Sequence, residues 1–257
     1  MADLTLDRVS KVFPDGTEAV RDVSLTVPSG TRAALIGASG SGKTTVLRMI
    51  NKLILPTSGS IALGGEDVTG LPGAELRRRI GYVVQGIGLF PHMTVAQNVG
   101  ITPRLLGWPA DRIEARVEEL LTLVHLTPDT YRDRLPAALS GGQQQRVGFA
   151  RALAAEPSVI LLDEAFGALD PVTRSELQNE FCEIQESLGV TAVLVTHDMA
   201  EALFLADRLF VMHRGRLIRS GTPAELWQDP GDERVAAMIH QPKMQAAKLR
   251  ALDKGAA

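Results

Sequence analysis

Eight consecutive residues, Gly37-Ala38-Ser39-Gly40-Ser41-Gly42-Lys43-Thr44, combine three glycines with an amine and a hydroxyl. Backbone without Cβ atoms can turn successive N–H groups toward one centre, which makes a nest for an anion. A helix that starts behind such a loop adds the positive end of its dipole. Lys43 suits the β- and γ-phosphates, and the Thr44 hydroxyl, with Thr45 beside it, suits the shell of a Mg²⁺ ion. A glycine-rich turn between strand and helix is the plainer reading, and the complete pattern in that context disfavours it. The pattern predicts a nucleoside triphosphate site. A second group follows 115 residues later, where Val159-Ile160-Leu161-Leu162 runs into Asp163 and Glu164. Neighbouring residues leave a strand in different directions, so Asp163 can face a metal while Glu164 faces a γ-phosphate. A carboxylate there could orient and deprotonate an attacking water.

These residues need elements that bring them together. Leu4 to Val9, Ala19 to Val27 and Thr31 to Ile36 read as strands, separated by turn sequences at Pro14-Asp15-Gly16 and Pro28-Ser29-Gly30. Val46 to Leu53 reads as a helix, and Ile61 to Leu63 and Gly81 to Val84 as further strands. Between about Phe90 and Ala155 the pattern turns helical: Ile113, Val117, Leu120, Leu121 and Val124 fall on one helix face. From Ser158 onward, the apolar runs Val159 to Leu162 and Thr191 to Val195 flank a helical Pro171 to Leu188. Strands apolar on both faces, with helices between them, imply a parallel sheet covered on both sides. Ligands bind at the carboxyl ends of such strands, where Gly37 and Asp163 both fall. The segment from Gln241 to Ala257 reads as a frayed helical tail.

Composition narrows the function classes. With 257 residues, 45% hydrophobic and 22% charged, the chain has the profile of a soluble globular protein with a substantial core. Lys and Arg number 27 against 30 Asp and Glu, without the basic excess of a nucleic-acid binder. One cysteine, Cys182, excludes a disulfide framework and fits a reducing compartment. The first residues lack the basic and then apolar run of a secretory signal, and no run of about 18 apolar residues is present. The expectation is a cytoplasmic protein that does not bind nucleic acid.

The string Leu139-Ser140-Gly141-Gly142-Gln143-Gln144-Gln145-Arg146 is the sharpest signal. Ser140 with Gln143 fits a capping box. Two glycines in a first helical turn are costly, up to about 1 kcal/mol each against alanine, and capping does not explain them. Close approach of a phosphate to bare N–H groups does. With the phosphate loop upstream and the Asp-Glu strand downstream, the chain resembles the ATP-binding-cassette ATPase family from about residue 3 to 240. The resemblance implies an α/β fold: a P-loop NTPase (RecA-like) core with an N-terminal antiparallel β subdomain and an inserted α-helical subdomain. The core would span about 1–88 and 156–241, the insert about 89–155, and a short tail 242–257 would carry no regulatory domain.

The same resemblance implies roles for other residues. Phe13 matches the aromatic that stacks on adenine, where the family more often has Tyr. Gln85 matches the glutamine that links Mg²⁺ and water to the helical insert. Ala168-Leu169-Asp170 matches the loop that meets the opposite subunit, and His197 the histidine that bonds the γ-phosphate. The implied site comprises Glu164, His197, Gln85 and Lys43 for catalysis, and Thr44, Gln85 and Asp163 for Mg²⁺. ATP would be held by Phe13, Gly37 to Thr45 and Asp170, and by Ser140, Gly141, Gly142 and Gln143 of a second copy closed head-to-tail. A separate membrane permease is implied, docking near Gly88 to Val95, where exposed Leu89, Phe90 and Met93 would form a contact patch. The cassette would then sit peripherally on the inner face of the membrane.

Met49-Ile50-Asn51-Lys52-Leu53-Ile54, Leu76 to Gln85 and above all Ile87 to Val95 look like the osmoprotectant importers. These take up glycine betaine, choline or carnitine with an extracytoplasmic binding protein. Many relatives carry paired cystathionine-β-synthase-type domains after the cassette, whereas 16 residues follow Gln241 here. An importer for methionine or another polar solute is the alternative. A non-transport cassette ATPase is opposed by the single cassette, the single cysteine and the lack of sustained heptads, and a module without hydrolysis by Lys43, Asp163, Glu164 and His197.

Overall fold

Alternating and unbroken apolar runs build two different sheets in the computed structural model, which describes residues 3–167 and 169–255. The chain begins with β1 (Leu4–Val12), β2 (Glu18–Val27), β3 (Arg32–Ile36), α1 (Lys43–Ile50), β4 (Ser58–Leu63), β5 (Glu66–Asp67), α2 (Gly73–Arg79) and β6 (Ile80–Val83). Helices follow: α3 (Val95–Leu105), α4 (Ala110–Leu123), α5 (Pro128–Tyr131), a 3₁₀ turn at Pro136–Ala138 and α6 (Gly141–Leu153). The last part comprises β7 (Val159–Asp163), α7 (Pro171–Leu188), β8 (Thr191–Thr196), α8 (Met199–Leu205), β9 (Arg208–His213), β10 (Arg216–Gly221), α9 (Pro223–Gln228) and α10 (Glu233–Gly255).

The first sheet has the order β2-β1-β4-β5 and is antiparallel throughout. Its opening hairpin turns at Pro14-Asp15-Gly16, where Asp15 accepts from the Thr17 amide and Gly16 takes a left-handed φ of 84°. The second sheet has the order β10-β9-β3-β8-β7-β6. Its five strands from β9 to β6 are parallel, and β10 pairs antiparallel to β9. β7 and β8 are buried at every residue, as strands covered on both faces must be. One core lies between the two sheets and α1, and includes Leu6, Val23, Leu47, Ile61 and Leu161. The other joins the opposite face of the parallel sheet to the helices, through Val99, Leu120, Phe149, Phe181 and Leu194. The parallel order places the carboxyl ends of β3, β7 and β8 side by side.

Helices α3 to α6 stand between β6 and β7 in the chain. Ile113, Val117, Leu120 and Leu121 are the buried face of α4, the face that the apolar spacing predicts. Several elements differ from the sequence reading: β1 runs on to Val12 rather than ending at Val9, and β4 begins at Ser58 rather than Ile61. α1 spans Lys43–Ile50 rather than Val46 to Leu53, because Lys52 adopts a left-handed backbone and its first turn, Lys-Thr-Thr, carries no apolar signal. The C-terminal helix does not begin at Gln241: α10 starts at Glu233, runs through Pro242, and buries Val235 and Ile239. Ala256 and Ala257 of the expected tail lie outside the described residues. No helix among the described residues is long and apolar enough to cross a membrane.

Candidate functional site

β3 ends at Ile36 and the glycine loop begins. A Cβ at Gly37 would lie 2.3 Å from the Met212 carbonyl oxygen, and one at Gly42 would lie 2.5 Å from that of Ala19. Neighbouring backbone therefore demands both glycines before any ligand does. Gly40 has open space around it and is needed for its left-handed φ of 75°. α1 starts with Gly42 as its N-cap and has neither a side-chain cap nor an acidic residue in its first turn. Its N-terminal amides and dipole thus face an anion site. Lys43 is 5% exposed and folds back onto the loop, donating to Gly37 O at 2.7 Å and Ala38 O at 3.1 Å. Burial pushes its pKa down, while the charges of Glu164 and Asp163 oppose that shift.

The carboxylates arrive from β7. Asp163 is buried; one oxygen accepts from the Thr44 hydroxyl at 3.3 Å and the other from the Tyr82 hydroxyl at 3.2 Å. Burial and the Asp163 charge push the Tyr82 pKa up to about 12, so this phenol stays a donor. Tyr82 was missed as a site residue by sequence reasoning; a tyrosine inside an otherwise apolar strand was the available signal. Glu164 takes a left-handed φ of 49°, which costs about 1–2 kcal/mol for a side chain. Its amide donates to Val195 O at 3.0 Å and its carbonyl accepts from Gly167 N at 3.2 Å. Its two carboxylate oxygens meet Gln85 Nε2 at 2.9 Å and His197 Nδ1 at 3.3 Å. Lys43 and Thr44 from α1 thus meet Gln85, Asp163, Glu164 and His197 from three strand ends, those of β6, β7 and β8, in one cluster. It can hold a polyphosphate at Lys43, place hard oxygen donors at Thr44 and Asp163, and present a carboxylate to a water.

The other expected residues stand apart. Phe13 is half-buried at the tip of the first hairpin, with the Lys11 ammonium 5.4 Å from its ring centre. The hairpin leads from there to Ala19, whose carbonyl lies beside Gly42. Ser140 and Gln143 form a reciprocal capping box on α6, and Gln143 Nε2 donates to the Tyr131 hydroxyl at 3.1 Å. A Cβ at Gly142 would come within 2.6 Å of Thr173 Cγ2, so packing against α7 accounts for that glycine. Packing thus gives Gly142 a reason that capping alone does not. Gly141 has its nearest neighbour, Leu169 Cδ2, at 4.0 Å, so nothing among the described residues requires it. Among the described residues, no hydrogen bond joins the α6 N-terminus to the Lys43 cluster. Asp170 caps α7, accepting from the Val172 and Thr173 amides, and bonds from Thr173 hold its carboxyl below the usual range. Ala168 lies outside the described residues.

Of the three apolar side chains expected on the surface after Gln85, only Phe90 is exposed, at 41%. Leu89 packs against the core and Met93 is half-buried. The reason is Asn98, buried on α3: its amide nitrogen donates to the carbonyls of Phe90, Met93 and Thr94, and its oxygen accepts from the Phe90 amide. Phe90 borders a groove of about 530 Å³ with Leu53, Arg77, Arg78, Leu105 and Arg151.

A family profile described as "ABC transporter" matches residues 20–167. The chain is 50% identical over 241 residues to the glycine betaine/carnitine/choline transport ATP-binding protein of Bacillus subtilis, covering 94% of this chain and 63% of that one. It therefore spans a little under two thirds of that relative's length. It is 50% identical over 232 residues to the glycine betaine uptake system ATP-binding protein of Escherichia coli, covering 90% of this chain and 75% of that one. Among solved structures, the ATP-binding cassette MJ0796, a dimer in a post-hydrolysis state bound to ADP and Pi, aligns with a TM-score of 0.76 at 32% identity. That alignment covers 86% of this chain and 98% of that one.

Proposed function

The chain belongs to the ABC transporter family, and from that premise we propose that it is the ATP-hydrolysing subunit of an importer for a quaternary-amine osmoprotectant. The observation that carries the catalytic part is the meeting of Glu164 with Gln85 and His197 beside the Lys43 loop. ATP is held by the amides of Gly37 to Thr45 and by Lys43, which leaves its in-chain carbonyls for the β- and γ-phosphates. Phe13 stacks on the adenine. Glu164, oriented through both oxygens, accepts the proton of the water that attacks the γ-phosphorus, and His197 donates to the γ-phosphate.

Thr44, Asp163 and Gln85 are a hydroxyl, a carboxylate and an amide oxygen, a hard set that fits Mg²⁺ with phosphate and water completing its shell. An ion held there would neutralise developing phosphate charge, and the Tyr82 hydroxyl, bonded to Asp163, would keep that carboxylate in place for it.

A second copy supplies Ser140, Gly141, Gly142 and Gln143 across a head-to-tail dimer, and Asp170 lies on the loop that meets it. Gly141 supports this, since no packing among the described residues requires its bare backbone. The dimeric cassette among the similar structures supports it as well. A membrane permease docks at Gly88 to Val95, where Phe90 and the neighbouring groove offer an apolar and basic surface. The cassette works on the cytoplasmic face, and an extracytoplasmic binding protein delivers the solute. The 50% identity to glycine betaine, carnitine and choline systems supports the quaternary amine.

Uptake of labelled glycine betaine, choline and carnitine by cells carrying this chain or its Lys43→Ala variant tests the reading. Lys43-dependent uptake of one of the three is expected. Uptake of none, with ATP hydrolysis by the purified protein intact, removes the substrate assignment and leaves the ATPase.

A further inference from the structure

Behind Glu164 lies a polar pocket of about 90 Å³ that the chemistry described above does not use, bordered by Arg174, Thr196, Asp198 and Glu201. Arg174, in the first turns of α7, reaches back over the segment that follows Glu164. Its Nε donates to Phe166 O at 3.1 Å, and its Nη2 donates to Leu169 O at 2.9 Å and Gly167 O at 3.4 Å. One guanidinium thus gathers three carbonyls of a segment that has no ladder of its own, a task that suits its rigid fork of donors. Gly167 in turn donates to the Glu164 carbonyl. Glu164 sits in a left-handed backbone, a conformation that persists only where its surroundings over-determine it.

Glu201 faces the same pocket from α8. Its carboxylate accepts from Gln178 Nε2 of α7 at 3.0 Å, and Thr196, buried at the end of β8, lines the pocket beside it. Burial pushes its carboxyl above the usual range, the Thr196 and Gln178 side chains oppose the shift, Asp198 adds to it, and the Arg174 charge opposes it. A carboxylate kept in such a place has a partner to serve, and Arg174 is the cation that faces it. Through Asp198, the cap of α8, and Thr196, the same cluster borders His197 on its other side.

We propose that Arg174 is a positioning residue for Glu164, holding the segment after it by three carbonyls, with the Glu201 carboxylate as a counter-charge across the pocket that both residues line. This rests on the ATPase reading for its kinetic consequence and on the hydrogen bonds alone for its structural one. Neither residue touches the Lys43 loop, so their loss acts on turnover and not on nucleotide affinity.

The experiment measures kcat and KM for ATP, together with amide hydrogen exchange of segments 164–170 and 37–45, in wild type, Arg174→Ala, Arg174→Lys and Glu201→Gln. Arg174→Ala is expected to lower kcat by about 10- to 100-fold with KM within twofold, the signature of a lost positioning interaction. Its 164–170 amides should exchange at least tenfold faster while 37–45 is unchanged. Arg174→Lys recovers part of the exchange protection, since one ammonium cannot span the three carbonyls. Glu201→Gln keeps its acceptor but loses its charge, and lowers kcat by about 2- to 5-fold. Unchanged kcat and exchange in Arg174→Ala overturns the proposal, as does faster exchange in both segments with kcat and KM altered alike in all three variants. No turnover in wild type, with the exchange effect of Arg174→Ala intact, overturns the ATPase reading and upholds the positioning of the segment.

Discussion

Two helices of this molecule begin behind glycines, and they begin in opposite ways. α1 follows Gly42 with no side-chain cap and no acid in its first turn. α6 follows Ser140 with a complete capping box, which satisfies the Ser140 and Gln143 amides within the chain. Their glycines divide differently as well. Gly37 and Gly42 are enforced by the Met212 and Ala19 carbonyls, and Gly142 by Thr173, whereas Gly141 has open room. The first site is built to be completed by an anion within one chain. The second has two of its end amides capped within the chain and presents one bare residue, Gly141, outward. A glycine motif therefore cannot be taken as a ligand contact residue by residue, because some of its glycines serve the packing of the protein.

The sharpest test of the first region is Glu164→Gln, which keeps the shape and removes the base. ATP turnover should fall by about 10²–10⁴-fold while ATP binding persists; near-normal turnover would remove Glu164 from that role. The contrast between the helices is then tested by ligand-induced stabilisation. At a hundredfold excess over Kd, ATP should stabilise the wild-type protein by about 2.7 kcal/mol, read as a rise in Tm. Gly42→Ala should abolish that rise, and Gly141→Ala should preserve it while lowering turnover by at least tenfold. If Gly141→Ala hydrolyses ATP normally, the outward face of α6 is not part of the site.

A smaller effect is expected at Tyr82→Phe, which leaves Asp163 with one donor fewer. The Mg²⁺ concentration for half-maximal turnover should rise about tenfold, and an unchanged value would make Tyr82 a packing residue only. The smallest effect is at Ser140→Ala. Loss of its cap should lower stability by about 1 kcal/mol in urea unfolding, with no change in ATP-induced stabilisation. A loss of that stabilisation as well would mean that Ser140 itself takes part in holding ATP, within the chain or from a second copy.

Much of this was legible in the amino-acid order because local chemistry dictated it. The strand alternation, the unbroken apolar runs of β7 and β8, the apolar face of α4 and the Lys43, Asp163 and Glu164 motifs are properties of short segments. Their physics lies in side-chain period, glycine freedom and charge. The order of those motifs along the chain also carried the family resemblance. What the sequence could not disclose was set by contacts between residues far apart in the chain. That Gly37 and Gly42 answer to Met212 and Ala19, that Asn98 turns Leu89 inward, that Tyr82 braces Asp163 and that Arg174 gathers the carbonyls after Glu164 all depend on the packing of separate elements. Residue type and spacing determined which chemistry the chain can carry; the parallel stacking of β3, β7 and β8 decided which atoms meet, because only tertiary packing brings strand ends more than a hundred residues apart within hydrogen-bond distance.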